Sequence, residues 1–234
     1  MSSALITGAS RGFGRALARE LARRDWHLVI DARGHEELQA SASSLGSGVV
    51  TAIAGDIGDP EHRRELAHAV DRLGPLDLLV NNASVLGPSP LPGLDHYPIE
   101  ELERVLRINT VAPLALTQLL LDAVHAASGA IVNITSDAAI EPYEGWGGYG
   151  SSKAALDQLS AILGAEQGSI RVYAFDPGDM RTAMHQAAFP GEDISDRPEP
   201  ETVVPALLRL LEEALPSGRY WAGDLRATTT EAAS

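Results

Sequence analysis

The feature that most constrains the fold of this chain is a repeated alternation of short apolar runs with longer amphipathic segments. An apolar run at residues 4–6 is followed by an amphipathic segment at 12–24, and the same order recurs down the chain. Such alternation is typical of a parallel sheet covered by helices on both faces. We therefore expect a single α/β domain over residues 1–226, with a doubly wound parallel sheet of about seven strands, and a frayed tail at 227–234.

The hydrophobic pattern also predicts the individual elements. Strands are expected at residues 4–6, 28–30, 49–54, 76–80, 130–134, 170–175 and 219–221. Helices are expected at residues 12–24, 36–44, 61–73, 99–127, 146–166 and 201–214. Ligands of doubly wound sheets bind beyond the carboxyl ends of the strands, so functional residues are expected in the loops that follow strands. The segment 189–200, which contains Pro and Gly, predicts a mobile loop.

Charge and composition argue against several kinds of partner. The net charge of −14 repels nucleic-acid phosphates and anionic lipids, so neither a nucleic acid nor a membrane surface is an expected partner. The longest apolar stretch, 111–127, is shorter than the roughly 20 residues of a membrane span. The run at 4–6 is too short for a signal peptide, so a cytoplasmic location is expected. With no cysteine and no metal-ligand spacing among seven histidines, no metal site is expected.

A glycine-rich loop follows the first predicted strand directly. It reads TGASRGFG from Thr7 to Gly14 and opens the first predicted helix. Glycines permit a tight turn and close approach of the backbone to a ligand. The helix N-terminus offers unpaired N–H groups and a positive dipole end to a pyrophosphate. Because the loop lies between a strand and a helix of one βαβ unit, it predicts a dinucleotide site in a Rossmann-type fold.

The spacing of Gly8, Gly12 and Gly14 resembles that of the short-chain dehydrogenase/reductase family, in its compact single-domain branch. The resemblance continues in the family's order through Asp56-Ile57, Asn81-Asn82-Ala83, Asn109, Ser136, Tyr149, Lys153, Pro177-Gly178 and Thr182. It implies an NAD(P)-dependent oxidoreductase that interconverts a small neutral ketone or aldehyde and its alcohol by hydride transfer. It also implies a homodimer or homotetramer that pairs through its long helices.

The resemblance further implies which residues hold the cofactor. Asp56 and Ile57 would hold the adenine, and Asn82 with Ala83 would lie along the dinucleotide. The full set expected to contact it is Gly8, Ser10, Arg11, Gly12, Phe13, Gly14, Arg33, Asp56, Ile57, Asn82, Ala83, Tyr149, Lys153, Pro177, Gly178 and Thr182.

The end of the second predicted strand favours NADP(H) over NAD(H). An acidic residue there would bond a ribose 2′-hydroxyl, whereas an arginine would meet a 2′-phosphate. The position that is aspartate in NAD-using relatives is Ala32, followed by Arg33, and Arg11 adds a second guanidinium suited to a phosphate dianion. Asp31 comes one residue early, so strand alternation points it to the other face. In the alternative, Asp31 reads the ribose, Arg33 is only a surface residue, and NAD(H) is the cofactor.

Tyr149 and Lys153 carry the strongest chemical signal in the sequence. They are four residues apart on a predicted helix, so their side chains share one face. Lys153 is the only lysine among 18 basic residues, which indicates that a compact ammonium is required there. Since a free phenol has a pKa of about 10, we expect the neighbouring ammonium to favour the phenolate and tune Tyr149 for proton transfer to a substrate oxygen.

Ser136 and Asn109 complete the expected catalytic set. Ser136 follows a predicted strand, and its hydroxyl can donate to a carbonyl oxygen as negative charge develops there. By the resemblance, Asn109 supports a water-linked proton path through the lysine. Taken singly, a serine after a strand is usually a cap or turn residue, and an asparagine in a helix usually makes a local hydrogen bond.

Two positions depart from the family's pattern. Ser84 stands where relatives carry glycine after Asn-Asn-Ala, and its side chain is expected to crowd or hydrogen-bond near the nicotinamide. Asp179 follows Gly178, and an acid there disfavours anionic substrates. Candidate walls of the substrate pocket are His96, Asp137, Tyr143, Trp146, Met180 and Met184. The alternative function is a non-catalytic dinucleotide-binding sensor of the same fold, which would not need the catalytic side chains.

Overall fold

The fold is organised around one seven-stranded sheet in which every neighbouring pair of strands is parallel, in the order β3-β2-β1-β4-β5-β6-β7. The computed structural model describes residues 2–46 and 49–227. The strands are β1 (Ser3–Ile6), β2 (His27–Ala32), β3 (Val50–Ala54), β4 (Leu78–Asn81), β5 (Ala130–Ile134), β6 (Arg171–Asp176) and β7 (Gly218–Trp221). The predicted fold class and its seven strands are confirmed.

Helices connect the strands on both faces of the sheet. Within residues 2–46 and 49–227, the α-helices are α1 (Gly12–Arg23), α2 (His35–Ser43), α3 (Pro60–Asp71), α4 (Ile99–Leu106), α5 (Ala112–Ala127), α6 (Gly147–Glu166), α7 (Ala183–Ala188), α8 (Val204–Glu212) and α9 (Ala222–Ala227). Short 3-10 turns occur at Leu94–His96, Asp137–Ala139 and Pro200–Thr202. The two short helices α7 and α9 were not predicted, because neither is long enough to show a clear hydrophobic period.

Two apolar layers enclose the sheet, one on each face. Leu28 and Ile30 of β2 point into the layer that contains α1, α2 and α8, whereas Val29 points into the layer that contains α3 and α5. This is the alternation that a strand backbone imposes on its side chains. Because β1, β4 and β5 are neighbouring parallel strands, their carboxyl ends meet at one edge of the sheet. The glycine loop and Ser136 both lie at this edge.

The helix predicted at residues 99–127 is interrupted by a π-helical segment, Arg107–Val111, between α4 and α5. At its end the Ala112 N–H bonds to the carbonyl of Arg107, five residues back. Pro113, the second residue of α5, has no N–H to offer the carbonyl of Asn109, so a regular turn cannot form there. The interruption surrounds Asn109, and π-helical bulges frequently occur at functional sites.

By length and composition alone, the combined helix Ile99–Ala127 is long and apolar enough to cross a membrane, which the estimate from residues 111–127 did not anticipate. In this fold its Leu116, Leu120 and Val124 are buried in the core layer that also contains α3. These buried apolar side chains explain the high hydropathy of the helix, which forms one wall of the packed core.

The two remaining segment predictions have different outcomes. Residues 189–199 form an irregular connection, as expected of a loop, and its mobility stays a prediction. The frayed tail expected at 227–234 lies outside the described residues except for Ala227, which is the last residue of α9.

Candidate active site

The glycine loop is held against the segment that follows β4. Asn82 Nδ2 donates to the carbonyls of Thr7 (2.8 Å) and Gly8 (3.1 Å). Gly8 has a φ of +67°, and a Cβ on it would lie 2.9 Å from Ala83 Cα. A Cβ on Gly14 would lie 2.5 Å from Asn82 Nδ2. Glycine at these two positions therefore permits both the turn and the close approach of the two chain segments.

The N-terminus of α1 fits a phosphate group. No side chain caps the helix, so its first N–H groups lack the usual side-chain acceptor. A Cβ on Gly12 (φ +58°) would meet only Thr182 Cγ2, at 3.6 Å, so the space beside this glycine is open and Thr182 borders it. Uncapped donors, a positive dipole end and open space are what the pyrophosphate of a dinucleotide requires.

Asp31 does not extend to the sheet edge where it could contact the ribose of a bound dinucleotide. Its side chain is buried, with Oδ1 accepting the N–H of Gly8 (2.9 Å) and Oδ2 lying 3.0 Å from His62 Nε2 of α3. The imidazole packs directly against Gly55, where any Cβ would overlap the ring. Both carboxylate oxygens are thus engaged inside the protein, which removes the main support for the alternative in which Asp31 selects NAD(H).

Burial and mutual contact shift the pKa values of both Asp31 and His62. Burial raises the pKa of Asp31, and the contacts with His62 and Gly8 offset part of that rise. For His62, burial lowers the pKa, but the hydrogen bond and charge of Asp31 outweigh it, so the pKa is raised overall. The buried contact between the two side chains joins α3 to Asp31, which in turn holds the glycine loop through the N–H of Gly8.

The two arginines expected to meet a 2′-phosphate are both available. Arg33 and Arg11 are exposed, and neither belongs to an ion pair within the part of the chain that the structure describes. Ala32, between Asp31 and Arg33, packs in the core layer that contains α1, on the face opposite Asp31, as strand alternation requires.

Three other predicted cofactor residues contact the protein itself. Phe13 is buried and its ring lies 6.0 Å from that of Phe175, so only its backbone can face a ligand. Asp56 Oδ1 accepts the N–H of Gly58 at 2.8 Å. Ile57 is buried, and its carbonyl accepts from Arg63 at 2.6 Å.

Tyr149 and Lys153 lie together on α6 and are both buried. The ammonium of Lys153 is 5.5 Å from the centroid of the Tyr149 ring. It donates to the carbonyl of Ile134 at 2.7 Å, which fixes it at the carboxyl end of β5. The structure thus brings the phenol, the ammonium and the end of a central strand to one place.

The ionisation of these two groups differs from the expectation that the ammonium would favour the phenolate. Burial raises the pKa of Tyr149, and the charges of Asp176 and Asp137 raise it further, while the hydroxyls of Ser84 and Ser136 offset part of the rise. Burial also lowers the pKa of Lys153 to about 8. The expectation is therefore wrong for the protein without cofactor, because desolvation of the phenol and the charges of the two carboxylates dominate its ionisation. Tyr149 is a neutral acid.

Ser136 is less available as a donor than its position indicates. It lies beyond β5, as expected, but its Oγ donates to Asp137 Oδ1 at 2.8 Å and accepts the N–H of Ala138 at 3.2 Å. Tyr143 donates to the other oxygen of Asp137 at 2.9 Å. The serine hydroxyl is therefore both a turn cap and a partner of a carboxylate.

The Asn109 side chain is fully engaged with the protein. Its Oδ1 accepts the N–H of Val85, and its Nδ2 donates to the carbonyl of Val85 (both 2.9 Å) and to Ser152 Oγ (3.0 Å). Asn109 thereby joins the π-helical segment to the chain after β4 and to α6. Any part in a proton path falls to its backbone carbonyl rather than to its amide.

The Pro177-Gly178 loop is anchored from below by a charged network that the sequence did not reveal. Asp176 Oδ1 accepts the N–H of Gly178 (φ +71°) at 2.9 Å. Arg219 of β7 donates to Asp176 Oδ2 (2.9 Å), to the carbonyl of Ser136 and to Asp157 of α6 (both 3.0 Å). Asp157 is one turn beyond Lys153, so Arg219 ties the ends of β5 and β6 to the helix that carries the tyrosine. No local pattern marks an arginine on the last strand as part of this site.

The predicted pocket walls separate into two groups. Trp146 packs edge-on to Tyr149 at 5.7 Å between ring centroids and also contacts Tyr143, and Met184 packs against the same cluster. Phe189, 5.9 Å from Trp146, joins them, although the sequence placed it only in a loop. Met180 instead packs against the core layer of α1, and His96 is exposed and pairs with Asp95. An aromatic wall beside the phenol suits an apolar substrate.

The class that this fold and site define is the Rossmann-type oxidoreductase. A sequence model described as short chain dehydrogenase matches residues 2–193. Sepiapterin reductase of Mus musculus is 36% identical over 199 residues, which cover 79% of this chain and 76% of that protein. Serine 3-dehydrogenase of Rhizobium radiobacter is 35% identical over 182 residues, covering 76% and 72%. The chain therefore belongs to the short chain dehydrogenase family and is an oxidoreductase.

A solved structure shows the same architecture. The alcohol dehydrogenase of the archaeon Thermococcus sibiricus, complexed with 5-hydroxy-NADP, superposes on this chain with a TM-score of 0.85 at 27% identity. The match covers 94% of this chain and 95% of the other. The Rossmann-type fold and the family assignment agree.

Proposed function

We propose that this protein is an NADP(H)-dependent carbonyl reductase that converts a small, neutral ketone or aldehyde into its alcohol. The single observation that carries the proposal is the pairing of two buried groups, a neutral phenol on Tyr149 and an ammonium on Lys153, one helical turn apart. A buried phenol of raised pKa holds its proton at neutral pH and is thus a proton donor.

In the proposed reaction the O–H bond of Tyr149 breaks as a new O–H bond forms on the carbonyl oxygen. NADPH, when bound, supplies the hydride that the carbonyl carbon receives and is oxidised to NADP⁺. The ammonium of Lys153 stabilises the phenolate that remains, since it lies 5.5 Å from the ring. The phenolate then regains a proton from solvent, which completes the cycle. Trp146 and Phe189 shield the reacting groups from water.

The side chains at the end of β2 and in the glycine loop support a preference for NADP(H). Arg33 and Arg11 are unpaired within the described residues, whereas both oxygens of Asp31 are engaged inside the protein. The alcohol dehydrogenase of Thermococcus sibiricus, whose structure holds an NADP derivative, is consistent with this choice. Charge-assisted hydrogen bonds to a phosphate are each worth about 1.5–3 kcal/mol, so Arg33→Ala should weaken NADPH binding by roughly tenfold or more.

One assay separates the enzyme from the alternative, a dinucleotide-binding sensor. NADPH oxidation is followed with a panel of neutral ketones and aldehydes, and NADPH and NADH affinities are titrated in parallel. Turnover with NADPH and weaker binding of NADH support the proposal. Tight NADPH binding without turnover of any carbonyl contradicts it and favours the sensor. Tighter binding of NADH, unchanged in Arg33→Ala, contradicts the cofactor assignment.

We also propose that two or four chains associate through α5 and α6. Val111 and Leu119 around α5 are about half exposed, and so is Ile162 on α6. Exposed apolar side chains grouped on long helices mark protein interfaces. Light scattering tests this: a dimer or tetramer is expected, and a sharp monomer mass contradicts it.

The other expectations also remain proposals. Residues 1–226 are proposed to act as one catalytic domain, and the partner is proposed to be a small molecule rather than a nucleic acid or a membrane. A cytoplasmic location is proposed, and cell fractionation tests it.

A further inference from the structure

Ser84 carries a buried hydroxyl with no partner. Its Oγ is shielded from solvent and makes no hydrogen bond with any residue that the structure describes. The large majority of buried polar side-chain atoms in folded proteins are hydrogen-bonded, so each exception needs an explanation.

The backbone on both sides of Ser84 is fixed. The N–H of Ala83 donates to Thr7 Oγ1 at 2.9 Å. Val85 is bonded through both its N–H and its carbonyl to the side chain of Asn109, at 2.9 Å each. Because both neighbours are held, the hydroxyl of Ser84 is preorganised and needs no backbone rearrangement to act.

Ser84 lies beside the phenol that carries the proton, because Leu86 packs in the same cluster as Tyr149 and Asn109 joins Val85 to Ser152 of α6. Ser84 and Ser136 are the two side chains whose hydroxyls partly offset the raised pKa of Tyr149. The two hydroxyls differ in availability. Ser136 directs its proton to the carboxylate of Asp137 at 2.8 Å, and a charged acceptor holds a proton more strongly than a neutral carbonyl does. Ser84 has no such competitor.

We propose that Ser84 is a further catalytic residue, whose Oγ–H donates a hydrogen bond to the substrate oxygen that receives the proton of Tyr149. This inference rests on the proposed carbonyl reduction. No bond to Ser84 forms or breaks; its hydroxyl stabilises negative charge on the oxygen during the transfer. The class of ligand that it recognises is a neutral carbonyl or alcohol oxygen.

The test compares four variants with the native enzyme. Ser84→Ala and Ser84→Gly remove the hydroxyl, and Ser84→Thr keeps it. Ser151→Ala is the matched control, since Ser151 is an exposed residue of α6 whose Oγ bonds only to the carbonyl of Gly148. Removing one donor of this kind costs up to about 10²–10³ in kcat. We expect kcat to fall at least about tenfold in Ser84→Ala and Ser84→Gly, with recovery in Ser84→Thr and no loss in Ser151→Ala.

A second readout does not depend on turnover. Denaturant unfolding separates a catalytic role from a structural one. Because the Ser84 hydroxyl has no hydrogen-bond partner inside the part of the protein that the structure describes, Ser84→Ala should keep the native unfolding midpoint, as should Ser151→Ala. Native kcat in both Ser84→Ala and Ser84→Gly overturns the inference, and so does a loss of kcat in Ser84→Ala that is accompanied by a lowered unfolding midpoint. If the native enzyme reduces no carbonyl, the proposed function fails instead, which is a distinct result.

Discussion

Two regions of the site share one sheet edge but use their polar groups in opposite ways. On the glycine-loop side, which we define as Gly8, Asp31, His62 and Asn82, polar groups mostly bond to one another inside the protein. On the tyrosine side, defined as Ser84, Ser136, Tyr149 and Lys153, the buried hydroxyl of Ser84 has no hydrogen-bond partner among the described residues.

This difference indicates that one region mainly stabilises the fold and the other mainly serves catalysis. On the glycine-loop side only His62 Nδ1 lacks a hydrogen-bond partner among the described residues, and a buried network that is satisfied to this extent is rigid and specifies one backbone geometry. Buried polar groups without partners cost free energy, and such strain is frequently found at functional sites. Substitutions on the glycine-loop side should therefore reduce stability and leave kcat nearly unchanged. Removal of the hydroxyl of Tyr149 or Ser84 should reduce kcat and leave stability nearly unchanged.

The largest effect is expected for Tyr149→Phe. It removes the proton donor but keeps the ring that packs on Trp146. Loss of a general acid costs roughly 10²–10⁴ in rate, so we expect kcat to fall about 10³-fold. Fluorescence titration should show an NADPH affinity within about twofold of the native value, since no binding contact of the phosphate loop is altered. Turnover close to that of the native enzyme would remove the tyrosine from the mechanism.

Lys153→Met tests the ammonium separately from its packing. The variant keeps an unbranched side chain but leaves the carbonyl of Ile134 without its donor. We expect kcat to fall roughly 10²-fold, within the range for proton-transfer groups. Lys153→Arg serves as the comparison, because a planar guanidinium cannot replace a compact ammonium in a buried site. Full activity in Lys153→Arg would show that any cation suffices.

On the glycine-loop side, Asp31→Asn should act on stability. The amide can serve either Gly8 or His62 as an acceptor, but not both with the same strength. Breaking a buried hydrogen bond to a charged group costs about 1–3 kcal/mol, which denaturant unfolding measures. Activity at saturating NADPH should stay within about threefold of native. A large loss of kcat with native stability would remove the distinction between the two regions.

The smallest effect concerns pH. Because folding lowers the pKa of Lys153 from 10.5 to about 8, the unfolded chain binds more protons between these values, and stability rises with pH there. The contribution from about pH 8 to about pH 9 is roughly 1 kcal/mol. Lys153 is the only lysine, so comparison with Lys153→Met isolates it. If the two proteins show the same pH dependence, the ammonium is not desolvated as described.

Much of the fold follows from the sequence because its signals are local. All seven strands were predicted from short apolar runs, and the position of Asp31 on the face opposite Ala32 followed from the period of two. The π-helical segment around Asn109 was missed, since an amphipathic pattern does not distinguish a regular helix from one that Pro113 interrupts.

The parts of the site that could not be predicted depend on distant contacts. Arg219 bonds to Ser136 and Asp176 across 83 and 43 residues, and nothing near it in sequence indicates those partners. The partnership of Asp31 with His62 spans 31 residues. The raised pKa of Tyr149 in the protein without cofactor was not predicted, because burial of the phenol cannot be estimated from its spacing to Lys153.

The central claim is that burial keeps Tyr149 as a neutral acid, ready to protonate a carbonyl oxygen. Direct titration of its ¹³C-labelled ring by NMR in the protein without cofactor measures this, and five tyrosines make the assignment practical. The account predicts that the Tyr149 signal remains that of a neutral phenol beyond the pKa of a free tyrosine, about 10. A phenolate signal near neutral pH would contradict it.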